Sequence, residues 1–374
     1  MERREFLTGS STVALASIAG CMGGGGDEFD LTIEQIENWP PEEYEDSINI
    51  FNWSTEWVDD VLPAFQEEYP GIENSIQDSY NNPGQFYSQI QTDHQWDNLG
   101  STGVYTKRMM DNDLSHGLPI DILDNWEEVD DMFVEATEEH YMQDGLVYGI
   151  PDTAVIMPVI EYNEDYFDEP PTSIDVFWDE EYENEMMFWD RDYLMVEMAS
   201  MYLGYDDFQD PDDWDEVREA LEEQRDLNRN YYQDHDTAQS LLASGDVIVA
   251  PVPLSRAVQG HMELNDSLNY SIPDEGTLYS IDQQVVPKGA PHEVAGAMFA
   301  EFSLSETSAQ ISYSSNYSRT TRQNADEIIA DYYDDPEDAE FAQWDDDWDL
   351  RARGPYTEDE LSQIADIYTE VMGA

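Results

Sequence analysis

Acidic residues outnumber basic ones so strongly that the ratio decides what this chain can fold into. Its 374 residues include 86 Asp and Glu but only 14 Lys and Arg, which gives a formal net charge of -72. A high net charge combined with low hydrophobicity would predict a disordered chain. Here 40% of the residues are hydrophobic and 12% are aromatic, which is enough to form cores. The length predicts two folded domains rather than one.

The acids are spread along the whole chain, and the bases are almost all arginine. We count two lysines, Lys107 and Lys288, against twelve arginines. This pattern resembles proteins of salt-in halophiles, in which molar salt shortens the screening length to about 3 Å and makes self-repulsion tolerable. The charge therefore indicates a habitat and not a cationic ligand. It also argues against nucleic-acid binding, which needs clustered Lys and Arg to neutralise phosphates.

The N-terminus reads as an export signal. Residues 1–20 place Arg3 and Arg4 before a short apolar run, a spacing that resembles a twin-arginine signal, and the run is too short to span a membrane. The sequence up to Cys21 resembles a lipobox, which predicts that this cysteine carries lipid. It is the single cysteine, so no disulfide can form within the chain. The glycine-rich and acidic stretch 21–46 predicts a flexible tether.

The body alternates between strand and helix patterns. This alternation predicts an α/β fold with mostly parallel sheets. The clearest predicted segments are a strand at Ile48–Trp53, a helix at Val58–Tyr69, a buried strand at Val155–Tyr162, a helix at Asp212–Leu227, a strand at Val247–Val252 and a final helix at Glu358–Met372.

A series of short motifs follows in a recognisable order. They are Asn52-Trp53-Ser54, Tyr69-Pro70-Gly71-Ile72, Tyr148-Gly149-Ile150-Pro151, Leu203-Gly204-Tyr205, Gly245-Asp246-Val247, Pro273-Asp274-Glu275-Gly276 and Val286-Pro287-Lys288-Gly289-Ala290. Together, over residues 47 to 330, they resemble the extracytoplasmic solute-binding proteins of ABC importers. The nearest branch is the one that binds spermidine and putrescine, here as a lipoprotein of haloarchaeal type.

This resemblance implies a two-lobed, periplasmic-binding-protein-like α/β fold of type II. Residues 47–153 and 283–330 would form lobe I, and residues 154–282 would form lobe II. Crossing strands would act as a hinge, and the ligand cleft would lie between the lobes. Residues 331–374 would form an acidic C-terminal segment that ends in a helix.

The function that the resemblance implies is capture of a polyamine-like or other small organic solute and its delivery to a membrane permease. The protein would be a monomer at the outer face of the membrane, attached only through its lipid. We expect no catalysis, cofactor or metal. The implied ligand contacts are Trp53, Ser54, Thr102, Tyr105, Asp282 and Tyr317, and two further candidates are Asp190 and Asp152.

One basic residue points to a different ligand chemistry. Arg191 aligns with a position where the polyamine branch has a carboxylate. In a cleft it would favour an anionic ligand or pair with Asp190.

Two other classes of function stay open at this point. A secreted halophilic hydrolase acting on carbohydrate would need two carboxylates flanking a groove. A cell-surface protein without ligand binding would need no cleft. The acidic run at Asp345, Asp347 and Asp349 begins like an EF-hand loop, but Leu350 stands where that loop needs glycine. Asn265, Asn269 and Asn316 open sequons for surface glycans.

Overall fold

The computed structural model describes residues 32–36, 39–80, 83–92 and 95–373. The predicted signal and the predicted lipidation site at Cys21 lie outside the described residues. Part of the predicted tether is described, and there Ile33 is buried with 2% of its surface exposed. Its backbone N–H donates to the Glu293 carboxylate at 3.2 Å.

The described chain alternates between helices and strands. The helices are α1 Thr55–Glu68, α2 Pro83–Ile90, α3 Gly103–Asp111, α4 Asp131–His140, α5 Asp192–Leu203, α6 Trp214–Leu227, α7 His235–Ser244, α8 Leu254–Gln259, α9 Glu293–Phe302, α10 Glu306–Asn316, α11 Ala325–Tyr332, α12 Pro336–Ala342 and α13 Glu358–Gly373. The strands are β1 Ser47–Asn52, β2 Asn74–Ser79, β3 Asn98–Thr102, β4 Leu118–Pro119, β5 Met142–Gln143, β6 Leu146–Val147, β7 Ile150–Ile156, β8 Val159–Asn163, β9 Met187–Trp189, β10 Asn230–Tyr232, β11 Val249–Val252, β12 Leu268–Ser271, β13 Thr277–Val285, β14 Arg319–Thr320 and β15 Leu350–Ala352.

The largest sheet has the strand order β14-β7-β13-β3-β1-β2, and β15 also pairs with β13. Strand β1 is parallel to both β2 and β3, whereas β13 is antiparallel to both β3 and β7. Strand β13, which comes late in the chain, thus lies between β3 and β7, which come earlier. It brings Asp282 of β13 opposite Thr102 of β3.

A second sheet has the order β11-β8-β12, with β8 antiparallel to both neighbours. A parallel pair, β9 and β10, lies beside it, because Met186 bridges to Val249 at the start of β11. The α/β class is confirmed, but the prediction of mostly parallel sheets is wrong. Strand β8 is antiparallel to both of its neighbours, and β13 is antiparallel to β3 and β7 although it is parallel to β15.

The chain passes from the first sheet to the second at Met157 and Pro158. Strand β7 ends at Ile156 and belongs to the large sheet, while β8 begins at Val159 and belongs to the second. The single strand predicted over Val155–Tyr162 is therefore wrong. Proline has no backbone N–H for a ladder hydrogen bond, so a break at this point is expected.

Helix α1 shows how local sequence sets the packing. The Ser54 side chain accepts from the Trp57 N–H at 3.3 Å and caps the helix. One face of α1 is buried, and its Phe65 ring meets Phe299 of α9 edge to face at 5.2 Å. Across the described ranges, no helix is long and apolar enough to cross a membrane.

Candidate ligand-binding cleft

A cavity of ≈ 290 Å³ lies where β3 and β13 of the large sheet meet residues of β9, α7 and α8. Its volume is close to the lower end of the usual range for small-molecule sites, roughly 300–1,000 Å³. Aromatic side chains come from both sides of it. They are Trp53, Tyr80, Trp189 and Tyr193.

The carboxyl ends of β1 and β3 form one wall of the cavity. Trp53 follows β1 directly and is 36% exposed, and Thr102 is the last residue of β3. Because β1 and β3 are parallel, both residues lie at the same edge of the sheet. Gly103 and Val104 also line this wall and begin α3, whose N-cap makes no side-chain hydrogen bond. The positive end of the α3 dipole therefore faces the cavity.

Two carboxyl groups lie at the centre of the large sheet. Asp282 lines the cavity, and its carboxyl makes no hydrogen bond to any described residue. Asp152 lies deeper and accepts from the Gln284 side chain at 2.6 Å and from the Thr153 N–H at 2.8 Å. Burial and, to a smaller extent, the nearby Asp152 carboxyl raise the pKa of Asp282 to about 8, while Arg353 opposes the rise. Burial also raises the pKa of Asp152 to about 7.

The opposite wall is aromatic and basic. The Arg191 guanidinium lies over the Trp189 ring at 5.0 Å from its centroid, and the His235 ring meets the same indole at 4.5 Å. Arg256 donates to the Gln259 side chain at 2.7 Å. Burial lowers the pKa of His235 to about 3, with Arg256 and Arg191 adding to the effect, so its imidazole is neutral.

A third arginine, Arg353, reaches the cavity from the C-terminal segment. Its guanidinium forms a bidentate pair with Glu197 of α5, with distances of 2.8 Å from Nε to Oε1 and 2.7 Å from Nη2 to Oε2. It also donates to Ser280 and to the Met157 carbonyl. The charge of Arg353 is thus matched within the protein.

The sequence of the chain matches a family model over residues 61–340. The family is described as bacterial extracellular solute-binding protein. The chain belongs to this family. The resemblance that the sequence motifs indicated is thereby confirmed at the level of the family. No curated protein sequence matches the chain.

Solved structures share the fold of this solute-binding protein. The spermidine/putrescine ABC transporter substrate-binding protein of Streptococcus pneumoniae is 20% identical, with a TM-score of 0.69 over 88% of this chain and 99% of that one. The lipoprotein Tp0655 of Treponema pallidum is 15% identical, with a TM-score of 0.72 over 87% and 99%. The periplasmic binding protein AfuA of Actinobacillus pleuropneumoniae, solved with fructose-6-phosphate, is 14% identical, with a TM-score of 0.68 over 87% and 98%. The periplasmic-binding-protein-like fold is therefore confirmed.

In this solute-binding protein, some of the predicted ligand contacts line the cavity and others do not. Trp53, Thr102 and Asp282 line it, as does Arg191. Ser54 instead caps α1 and accepts from the Asn316 amide at 3.2 Å.

The remaining predicted contacts lie outside the lining. Tyr105 packs edge to face on Phe86 in the body of the large-sheet core. Tyr317 donates to the Glu263 carboxylate at 3.0 Å. Asp190 accepts from the side chains of Gln233 and Tyr368. Asp152 lies beneath Asp282 with 6% of its surface exposed.

Several aromatic and basic residues that line the cavity of this solute-binding protein were not predicted from the sequence. They include Trp189, His235, Arg256 and Arg353. Two of them carry a local signal that could have been used. Trp189 ends a short apolar strand, and His235 begins α7 directly after the N-cap Asp234. Strand ends and helix starts are where ligand-contacting residues gather in α/β folds.

The acidic run near residue 345 serves local structure. Asp345 accepts from the Asp347 N–H at 2.9 Å, and Asp349 pairs with Arg351 at 2.9 Å. Within the ranges that the structure describes, no group of three or more His, Cys, Asp or Glu is arranged to hold a metal ion.

The raised carboxyl pKa values predict how stability depends on pH. The folded state holds protons on Asp282 and Asp152 that the unfolded chain, with Asp pKa values near ~3.9, releases. The free energy of unfolding should therefore fall as the pH rises from about 4 to about 8, by up to about 1.4 kcal/mol per pH unit for each proton. Urea denaturation at several pH values in molar KCl measures this slope. Asp282→Asn should reduce the slope, whereas Asp282→Glu should keep it. An equal slope in the wild type and in Asp282→Asn would contradict the assignment.

Proposed function

We propose that this protein is the solute receptor of an ABC importer, which captures a small organic molecule in the cleft and delivers it to a membrane permease. The observation that carries the proposal is the cavity itself. Its residues come from the large sheet and from β9, α7 and α8, and its walls combine aromatic faces with charged groups. Family membership and the shared fold support the same function.

We also propose that the protein closes around its solute by movement of two lobes, residues 47–153 with 283–330 and residues 154–282. Support comes from the crossings between the sheets, at Met157 and Pro158 and again between β12 and β13. The C-terminal segment adds a third connection, because β15 pairs with β13 while α13 packs against α5 and α6. Because only a small number of segments would connect the two lobes, the lobes could move relative to each other about these hinges.

The proposed location is the outer face of the cell membrane, where a lipid on Cys21 would hold the protein. The family is extracellular by description, and a structural neighbour is described as a lipoprotein. A monomer in contact with its permease completes the proposal.

A polyamine is the solute that the sequence resemblance implies. Asp282 would hold an ammonium group, and Trp53 would cover the alkyl chain. A carbohydrate hydrolase is less well supported. That chemistry uses two carboxyl groups about 5–10 Å apart, and Asp282 is the one carboxyl among the described residues that line the cavity.

A thermal-shift experiment tests the receptor function. The full chain in molar KCl is screened against polyamines, amino acids, sugars and organic anions. A solute at about 100 times its dissociation constant should add about 2.7 kcal/mol to the free energy of unfolding. Ser255→Trp should abolish the shift, because Ser255 lines the cavity and a large side chain would fill it.

The matched control is Ser240→Trp, at an exposed position on α7. It should bind solute as the wild type does, and circular dichroism should show both variants folded. A chain that no class of solute stabilises, or a Ser255→Trp protein that still responds, would contradict the proposed receptor function.

A further inference from the structure

The charge of the cavity is opposite to the charge of the protein. In the whole chain, Asp and Glu outnumber Lys and Arg by 86 to 14. In the cavity lining, three arginines face a single carboxyl, that of Asp282. With so many carboxylates available, a pocket dominated by guanidinium groups needs a specific explanation.

Two of the three cavity arginines form no ion pair with a carboxylate of the described residues. Seven of the arginines that the structure describes form ion pairs with Asp or Glu, and these are Arg108, Arg218, Arg225, Arg319, Arg322, Arg351 and Arg353. Arg229 donates to a backbone carbonyl at the surface. The two that remain, Arg191 and Arg256, both line the cavity.

These two guanidinium groups act on the same place. Burial is the main reason that the His235 ring is neutral, but the ring lies close enough to both arginines for each to disfavour its protonation further. Two like charges that share a partly buried site repel each other. An anion bound near His235 would relieve that repulsion and gain attraction from both arginines.

Buried polar atoms without hydrogen-bond partners among the described residues lie around the same point. The Nε of Arg191, the Nε1 of Trp189 and the Nδ1 of His235 are buried atoms with no hydrogen-bond partner among the described residues. Trp189 has 7% of its surface exposed, and all three side chains line the cavity. Buried polar atoms are nearly always satisfied in native proteins. A ligand with several acceptor oxygens would accept from Arg191 Nε and Trp189 Nε1, and from His235 when its proton is on Nδ1.

From these observations we infer that the solute carries an oxyanion, a carboxylate or a phosphate, which binds between Arg191 and Arg256. The organic part of the solute lies toward Trp53 and Asp282 on the opposite wall. The inference rests on the proposed receptor function and names the chemical class of its solute. It differs from the polyamine that the sequence resemblance implies, because a polyamine offers no group for the two arginines.

Calorimetric titration with defined probes tests the inference. The full chain in molar KCl is titrated with succinate, glycerol 3-phosphate and inorganic phosphate as anions, and with putrescine and glucose as a cation and a neutral solute. We expect at least one anion to bind. Arg191→Gln and Arg256→Gln should each weaken that binding about ten- to hundred-fold, the effect of losing a hydrogen bond to a charged group.

The matched control is Arg229→Gln, an exposed arginine that donates to a backbone carbonyl and forms no ion pair within the described part of the chain. It should leave the affinity unchanged, which separates a local contact from a general change in net charge. Binding of succinate without either phosphate compound would assign the site to carboxylates, and the reverse would assign it to phosphates.

The outcomes separate this inference from the receptor function on which it rests. If putrescine or glucose binds and Arg191→Gln leaves that affinity unchanged, the oxyanion site is wrong while the receptor function stands. If no probe of any class binds, both are wrong. If an anion binds equally well to Arg191→Gln, Arg256→Gln and Arg229→Gln, the assignment to these two arginines is overturned.

Discussion

Glu197→Ala should lower the free energy of unfolding by about 3–5 kcal/mol, because it leaves a buried guanidinium without its counterion. The Arg353 side chain is 4% exposed and the Glu197 side chain is fully buried. Glu197 also accepts from the Tyr356 hydroxyl at 2.6 Å. The substitution therefore removes three hydrogen bonds to one buried carboxylate. Urea denaturation in molar KCl measures the loss.

Two further variants separate the buried pair from an ordinary loss of charge. The double variant Glu197→Met with Arg353→Met replaces both ions by apolar side chains, and it should recover much of the stability lost by the single change. Asp349→Ala breaks an exposed pair with Arg351, in which 61% and 40% of the two side chains are accessible. That change should lower the free energy of unfolding by no more than about 1 kcal/mol. If Glu197→Ala were as mild as Asp349→Ala, the buried pair would not hold the C-terminal segment to α5.

The parts of the fold that could be predicted are those set by neighbouring residues. The predicted helix at Asp212–Leu227 is α6, Trp214–Leu227, with Asp213 as its N-cap. The predicted final helix is α13, Glu358–Gly373. Both depend on apolar spacing and capping groups within a few turns, so a local pattern is sufficient.

The pairing of strands could not be predicted in the same way. Strand β13 lies between β3 and β7, far from both in sequence. The alternation of strands and helices favours parallel neighbours, and nothing within β13 itself marks its reversed direction. The antiparallel arrangement follows from the path of the chain between two sheets, which is a property of the whole molecule.

In the candidate site, too, residues placed by local sequence could be predicted and residues placed by long-range contacts could not. Trp53 is the last residue of the strand predicted at Ile48–Trp53, Thr102 is the last residue of β3, and both line the cavity. Ser54 lies one residue after Trp53 and caps α1, and Tyr105 lies three residues after Thr102 within α3, where its ring packs in the core. Arg353 reaches the cavity through contacts with Glu197 and Ser280, which are distant in sequence. No local pattern signals such a contact.

Removal of salt should unfold this protein, since most of its carboxylates have no basic partner. Even if each of the 14 Lys and Arg paired with one acid, 72 of the 86 acids would be left without a partner. The screening length rises from about 3 Å at 1 M salt to about 10 Å at 0.1 M, so repulsion then acts between many neighbouring side chains. The resulting loss of stability should be of the order of the whole free energy of unfolding, about 5–15 kcal/mol. Circular dichroism during dilution from molar KCl measures it.

A charge-matched pair of variants identifies repulsion as the cause of this salt dependence. Glu219, Glu222 and Glu223 are exposed on α6. Changing all three to Gln removes three negative charges and should lower the KCl concentration at which half of the protein is folded. Changing the same three to Asp keeps the charge and should not lower it. A dichroism signal unchanged from molar salt to none would contradict the prediction. The same screening also affects the binding of an anionic solute. A protein of net charge -72 repels an approaching anion at low salt. Molar salt shortens the range of this repulsion to less than the dimensions of the cavity, so the anion can then reach the cavity arginines.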